Sequence, residues 1–558
     1  MKSYFIFFAF LLLTGFSYSQ PLNKKTTFTL QDTLRGSIGP ERAWWDVLHY
    51  DISVTPDYTT KTITGSNTIE FLVLKPGKKM QIDLQEPMEI DKIKLNNTSL
   101  KYTREGNVFW VMIPRRLRIG STQSLTIDFS GKPREAVNPP WDGGWIWKKD
   151  ADGNPWMSVA CQGLGASVWY PCKDHQSDEP DAGATLSITV PDTLVGVGNG
   201  RMTNKKVNAD GTTTYTWNVV SPINNYNIIP YIGKYITWGE EYNGLKGKLD
   251  VNYWFLQCDE QKAKQHVPGG VDSMLKALEY WFGPYPFYED GYKLVQSPHL
   301  GMEHQSATAY GNKFMYGYLG RDLSGTGWGL KWDYIIVHES GHEWFANNIT
   351  SKDIADMWIH EGITDYCETL YTEYYFGKEA GDAYVQGQRH GIRNDKPIIG
   401  MYGVNKEGSG DMYPKGANLM HTVRSVIDDD TLFRKILWGL NEKYYHQTVT
   451  TKQIEQYISV NGGNDFSKVF DQYLRQTQIP QLDYYTTVEN GSVVMYYRWS
   501  NCVKGFNMPI KLPAGNGRMG YFLAKESWQR FRTYFNTADE LKPALFDQNF
   551  YVTYKKIK

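Results

Sequence analysis

Val337-His338-Glu339-Ser340-Gly341-His342-Glu343-Trp344-Phe345 is the stretch from which the rest of this 558-residue chain can be read. On a helix, two histidines four apart lie nearly one above the other, so both imidazoles reach a single ion. Glu339 then points beside that ion, where a base for activating water belongs. The spacing predicts a helix beginning near Lys331-Trp332, with Ile335 and Ile336 packed into the core. Gly341 costs that helix about 1 kcal/mol of propensity, which a metal and tertiary packing override. Two surface histidines on an ordinary helix would look the same in isolation. The short pattern alone arises by chance in roughly one chain of this length in a hundred.

A third ligand follows at a fixed distance. Eighteen residues after His342 stands Glu361, in Trp358-Ile359-His360-Glu361-Gly362-Ile363-Thr364-Asp365-Tyr366. The run continues to Phe376 and meets Gly377, as expected of a helix with a glycine C-cap. His338, His342 and Glu361 thus form a His₂Glu set suited to one zinc ion per chain, with a fourth coordination position open. Asp365 and Glu368 lie four and seven residues on, hence on the same helix face. Glu368 is expected to accept the second ring N–H of a ligand histidine.

H-E-x-x-H, eighteen residues, then W-x-x-E-G resembles the gluzincin zinc aminopeptidases related to aminopeptidase N and leukotriene hydrolase. Other segments resemble the family's in the same order. Cys161 to Asp174, with Gln162 nine residues before Pro171, resembles a loop that contacts bound peptide, although Ser167 replaces the family's arginine. Phe282-Gly283-Pro284-Tyr285-Pro286-Phe287 resembles the family's F-G-x-Y-P-F turn. Leu300-Gly301-Met302-Glu303-His304 resembles the family's edge strand, whose glutamate binds the substrate's α-amino group. Two departures stand there, Leu300 for Gly and His304 for Asn, and His304 could carry charge below about pH 6.5. Tyr413-Pro414-Lys415-Gly416-Ala417 resembles the segment whose tyrosine donates to the oxyanion, with Tyr402 a distant second candidate. Phe470 to Pro480 resembles the family's closing segment.

Length beyond a single core implies three or four domains. A composition of 41% hydrophobic and 21% charged residues is that of a soluble globular protein. Aromatics at 15% could line a peptide or carbohydrate groove, but β-rich secreted proteins are commonly aromatic. A net charge of −1 without basic tracts argues against nucleic acid as a partner. Met1-Lys2, an apolar run from Tyr4 to Phe16 and Ser17-Tyr18-Ser19 read as a secretory signal at 1–19. Export to a periplasmic or extracellular space is therefore expected, with no transmembrane segment. Five scattered cysteines are not a disulfide framework, with Cys161–Cys172 the one conceivable pair.

The expected fold class is multidomain α+β. Residues 20–240 alternate apolar and polar in short strands, from Tyr50, Ile52 and Val54 onward. By resemblance they form an N-terminal all-β saddle domain, with Pro21 to Pro40 loosely ordered before it. Residues 241–481 are expected to form a thermolysin-like α/β-to-α domain. Its later helices run from Thr431 to Tyr445, from a capping box at Thr450–Gln453, and from Phe466 to Arg475. Residues 482–558 return to strands, interrupted at Glu526 to Phe531, as a small C-terminal β-sandwich. The family's long α-helical C-terminal domain has no counterpart in that pattern, which implies a more open cleft.

These features together imply a secreted zinc aminopeptidase acting on peptides with a free N-terminus. Zinc on His338, His342 and Glu361 would activate water, and Glu339 would act as base. Tyr413 would stabilise the oxyanion, Glu303 would hold the amino terminus, and Gln162, Gly301 and Met302 would line the substrate's first residue. The alternatives are a peptide-binding surface protein of the same fold without turnover, and a thermolysin-type endopeptidase. Glu339 and Tyr413 weigh against the first and Glu303 against the second.

Overall fold

The structure, a computed structural model, describes residues 26–557; the signal sequence read at 1–19 lies outside them. Alternation builds the first layer. Thr212–Val219 and Ala184–Pro191 bury every second residue. They sit in an eight-stranded sheet ordered 201–207, 212–219, 184–191, 45–57, 62–73, 122–131, 89–95, 98–99. Pairing is antiparallel except between Trp45–Asp57 and Ala184–Pro191, which run parallel. A four-stranded sheet (195–197, 231–233, 155–160, 144–149) and a three-stranded one (79–83, 108–112, 102–105) complete the N-terminal β region. Between them lies one apolar cluster that includes Trp45, Trp145 and Trp169.

Of the segment Pro21 to Pro40, residues 21–25 lie outside the described residues, and the rest differs from the loose order expected. A short helix, α1 (Leu30–Gly36), forms there, closed at its start by a Thr29–Asp32 capping box. Seven residues have no stability of their own, and contacts from Arg35 and Gly36 hold the turn in place.

A five-stranded sheet follows, ordered 235–244, 247–256, 292–296, 308–310, 301–302. Gly301–Met302 is the edge strand, pairing among the described residues with Thr308–Tyr310. The helices come next: α2 (Glu260–Phe282), α3 (Tyr334–Gly341), α4 (Trp358–Phe376), α5 (Lys378–Gly387), α6 (Pro414–Ile427), α7 (Asp430–Lys443), α8 (Thr451–Asn461) and α9 (Ser467–Arg475). The Thr450–Gln453 capping box opens α8. Gly377, at φ +91°, ends α4.

The C-terminal β region has a sheet ordered 529–532, 492–500, 481–489, 553–556 and a hairpin of 509–515 with 518–523. The interruption expected at Glu526 to Phe531 is instead partly strand: Gln529–Arg532 pairs with Ser492–Ser500. Its four residues, three of them polar, are too few to announce a strand. Apolar side chains of this region, such as Trp499 and Ile510, join the same buried cluster as the helices. No helix of the described residues is long and apolar enough to cross a membrane.

Candidate zinc site and substrate cleft

Asp333 caps α3, which begins at Tyr334, two residues after the expected Lys331-Trp332. Its Oδ1 accepts the N–H groups of Ile335 at 3.1 Å and Ile336 at 3.4 Å. It also accepts from Asn312 Nδ2 at 2.7 Å, and its second oxygen from Tyr310 at 2.8 Å. That bonded N-cap fixes where the helix begins. Ile335 and Ile336 are each 1% exposed, so the opposite face of α3 is anchored in the core.

This places His338 and His342 on one side, their rings 4.9 Å apart. α4 lies against α3 and brings Glu361 to both. Its Oε2 is 3.3 Å from His342 Nε2 and 3.8 Å from His338 Nε2. That oxygen is buried and has no hydrogen-bond partner of normal geometry. Three ligand atoms around a tetrahedral zinc with bonds of about 2.0–2.1 Å would stand about 3.3–3.4 Å apart. The His342 pair has this spacing and the His338 pair, at 3.8 Å, is slightly wider; an orphaned carboxylate oxygen between two imidazole nitrogens fits the metal.

The outer nitrogens fix the tautomers. His342 Nδ1 lies 3.0 Å from the Phe345 carbonyl, which can only accept, so Nδ1 carries the hydrogen and Nε2 is left for the ion. His338 Nδ1 is 2.7 Å from Glu368 Oε1. The other Glu368 oxygen accepts from Tyr384 at 2.6 Å and Gln388 at 3.2 Å. Asp365 accepts instead from Gln388 at 3.1 Å. Burial and the adjacent Glu368 carboxylate push Asp365 well above the usual range.

Gly341 suits a tight crossing rather than merely being tolerated. A Cβ there would lie 3.1 Å from Thr364 Cγ2, so a larger residue would push α4 and its glutamate away. A second close approach joins α4 to α6. A Cβ on Gly362 would lie 2.8 Å from the Met412 carbonyl oxygen, and one on Gly416 would lie 2.7 Å from Gly362 Cα. The two backbones are in contact, which sets Tyr413 relative to Glu361. The Tyr413 ring stacks near His338, centroids 6.1 Å apart and planes at 21°.

Glu339 is buried at the cleft floor. Burial pushes its carboxyl up to about 7 against the pull of His338 and His342. Gly301 on the edge strand faces it: a Cβ there would meet Glu339 Oε1 at 2.5 Å. Only glycine leaves the base its place. Glu303, two residues on, is 2% exposed. Its Oε1 accepts from the Tyr226 hydroxyl at 2.8 Å and from the Gln162 amide. Its backbone carbonyl accepts from Asn347 at 2.9 Å. Burial raises the Glu303 pKa, and the His342 imidazole opposes this. One oxygen or nitrogen each from Glu303, Glu339 and His342 lie within 4.8 Å of one another. The cleft is lined by Gln162, Met302, Glu303, Glu339 and Tyr413 together with the three candidate ligands.

Packing decides four points that the sequence left open. Tyr402 is 53% exposed and donates to Asp356 at 2.6 Å, away from the cleft. His304 is fully buried, with Nδ1 2.5 Å from the Tyr231 hydroxyl, and burial drives its pKa well below 6.5. It is therefore neutral and not a charged group of the cleft. Cys161 and Cys172 are buried and free. Ser167, in place of the family's arginine, still anchors its loop, its hydroxyl donating to Asp174 Oδ2 at 2.5 Å. Tyr226 and Asn347 were not singled out from the sequence. Each is 77 and 44 residues from Glu303, and nothing local marks either one.

The Peptidase M1 N-terminal domain model matches residues 47–226, and the Peptidase family M1 domain model matches 271–473. Aminopeptidase M1 of Arabidopsis thaliana is 20% identical over 459 residues, 77% of this chain and 50% of that protein. Aminopeptidase N of Lactobacillus helveticus is 23% identical over 464 residues, 77% of this chain and 51% of that protein. The chain thus spans about half the length of the curated relatives it matches. The crystal structure of an M1 zinc metallopeptidase from Deinococcus radiodurans is 22% identical with a TM-score of 0.66, covering 79% of this chain and 95% of that one, a likeness of fold. With both family models matched in order and the His₂Glu geometry assembled, the chain belongs to peptidase family M1.

Proposed function

We propose that this protein is a zinc aminopeptidase that removes residues one at a time from the free amino end of peptides. The observation that carries the reading is the position of Glu303. Its carboxylate is buried at the rim of the zinc site, fixed by Tyr226 and Gln162, and within a few ångströms of Glu339 and His342. A buried carboxylate is costly without a cation, and a substrate α-ammonium would supply one.

His338, His342 and Glu361 would hold the ion, which when bound supplies Lewis acidity and lowers the pKa of water. Glu339 accepts the proton of the attacking water on its carboxylate and returns it to the leaving amine. The Tyr413 hydroxyl donates to the oxyanion as it develops. Glu303 fixes the substrate's first nitrogen, so the first peptide bond falls beside Glu339. Gly301 and Met302 offer an edge strand along the cleft.

The test is a two-by-two cycle of enzyme and substrate. Acetylating the amine of a good peptide should cost the unmodified enzyme roughly 2–5 kcal/mol in transition-state binding, as for a truncated buried charge pair. Glu303→Ala should lose a similar amount on the free amine and discriminate far less between the two substrates. Equal cleavage of free and acetylated peptide by the unmodified enzyme would make it an endopeptidase. We also propose export, supported by the pattern at residues 1–19; a purified mature chain that still begins at Met1 would refute this.

A further inference from the structure

The loop that carries Gln162 has little stiffness of its own. Gly163 sits at φ +69° and Gly165 at φ +101°, both in the left-handed region where glycine is freest. Its position therefore comes from contacts. Gln85 Nε2 donates to the Leu164 carbonyl at 2.8 Å, and Asn405 Nδ2 to the Gly163 carbonyl at 2.7 Å. A further anchor is Asp174, whose side chain is 5% exposed. Its Oδ2 accepts from the Ser167 N–H at 3.1 Å and the Ser167 hydroxyl.

Asp174 Oδ1 pairs with Arg35 Nη2 at 3.2 Å, and a second guanidinium nitrogen of Arg35 donates to the Asp174 carbonyl. This arginine comes from α1, outside the matched family segments. A Cβ on Gly165 would collide with both Arg35 Nη2 and Asp174 Oδ2, so the guanidinium is packed directly on the loop backbone. Arg42 Nη1 donates to the Arg35 carbonyl at 3.2 Å and secures the helix end. The last residue of α1, Gly36, abuts the backbone of Val404 and Asn405, with no room for a Cβ. The same short helix thus touches two loops whose residues line the cleft: Gln162 and Gly163 on one side, Glu407 and Gly410 on the other.

We propose that Arg35 is a positioning residue for the amino-terminal subsite: through Asp174 it holds the glycine loop so that Gln162 stays against Glu303. Its consequence for catalysis rests on the aminopeptidase reading. Arg35 reaches neither Glu303 nor the zinc donors, so its loss acts through the placement of Gln162. The expected signature is weaker binding of the free amine with chemistry preserved.

The experiment uses the zinc-loaded full chain with Arg35→Gln and Arg35→Lys. Amide hydrogen exchange of a peptide covering 161–170 is measured beside kinetics on a free-amine aminoacyl-coumarin. Arg35→Gln should speed exchange in that segment several-fold and raise KM roughly tenfold, with kcat within about twofold. Arg35→Lys keeps the charge without the planar fork and should fall between the two. If Arg35→Gln does not fold, Arg35→Lys carries the same comparison. A lowered unfolding midpoint with loop exchange and KM unchanged would mean a merely structural contact and overturn the proposal. Faster exchange with KM unchanged would overturn the link to the subsite. An unmodified enzyme inactive on every free-amine substrate would sink the aminopeptidase reading and the subsite role with it, while exchange still decides whether Arg35 holds the loop.

Discussion

Glu368 holds the outer nitrogen of His338 at 2.7 Å from one helix turn beyond Asp365, on the same α4 that presents Glu361. One helix therefore supplies both a candidate metal ligand and the group that orients another ligand. Glu368→Gln keeps the size and loses the charge that favours the Nδ1–H tautomer. Zinc affinity should fall on the order of 10- to 100-fold, read by competition with a chelating dye. Unchanged affinity would remove Glu368 from the metal centre.

Glu339 and Tyr413 should separate chemistry from binding. Glu339→Gln should keep about one zinc per chain and lower kcat on the order of 10²-fold or more. Tyr413→Phe should lower kcat roughly 10²-fold with little change in KM, because its bond matters mainly in the transition state. Metal analysis and steady-state kinetics on the same preparations check both. A fully active Tyr413→Phe enzyme would require another oxyanion donor.

Tyr226 donates the 2.8 Å bond to Glu303. Tyr226→Phe preserves the ring packing and deletes one donor, leaving the Glu303 carboxylate less firmly placed. KM for free-amine substrates should rise roughly tenfold while kcat changes little, a charged-group hydrogen bond being worth about 1.5–3 kcal/mol at most. The same variant should leave zinc content unaltered. A loss of zinc instead would place Tyr226 in the support of the metal.

His299 makes stability depend on pH. It is buried beside His304 and Lys148, and burial pushes its pKa down to about 3. Below about pH 6.5 an unfolded chain takes up a proton there that the folded chain refuses until about pH 3. Stability from this group is thus complete at neutral pH and lost progressively as pH falls. Buried carboxylates with raised pKa, such as Glu179 at about 7, work in the opposite direction. The difference between the unmodified protein and His299→Leu isolates the histidine. The variant should gain on the order of 2 kcal/mol relative to the parent between pH 6.5 and pH 5. Parallel stability curves would show that His299 is protonated in the fold.

What the sequence disclosed follows the range of the interactions. His338, His342, Glu361 and Glu368 lie on two helices, and the helical repeat converts their spacing into a common face. Tyr226 could not be seen, because its bond to Glu303 crosses from the β region to an edge strand. α1 was illegible for a related reason: its seven residues are held by Arg35 on Asp174, 139 residues away. His304 shows the limit for single side chains, since composition gives the residue and only packing gives its charge.

The contact between Gly362 and Gly416 has a one-sided consequence. Two backbones already touching cannot be brought nearer, and any side chain at either position can only force them apart. Genetic variation at this crossing therefore has a single direction, widening the span between Glu361 and the root of Tyr413. Proteins often tune a distance by exchanging larger and smaller side chains, but here the dial is already at its stop. The separation is insulated from drift toward shorter values, and every departure from glycine is exposed to selection as a loss.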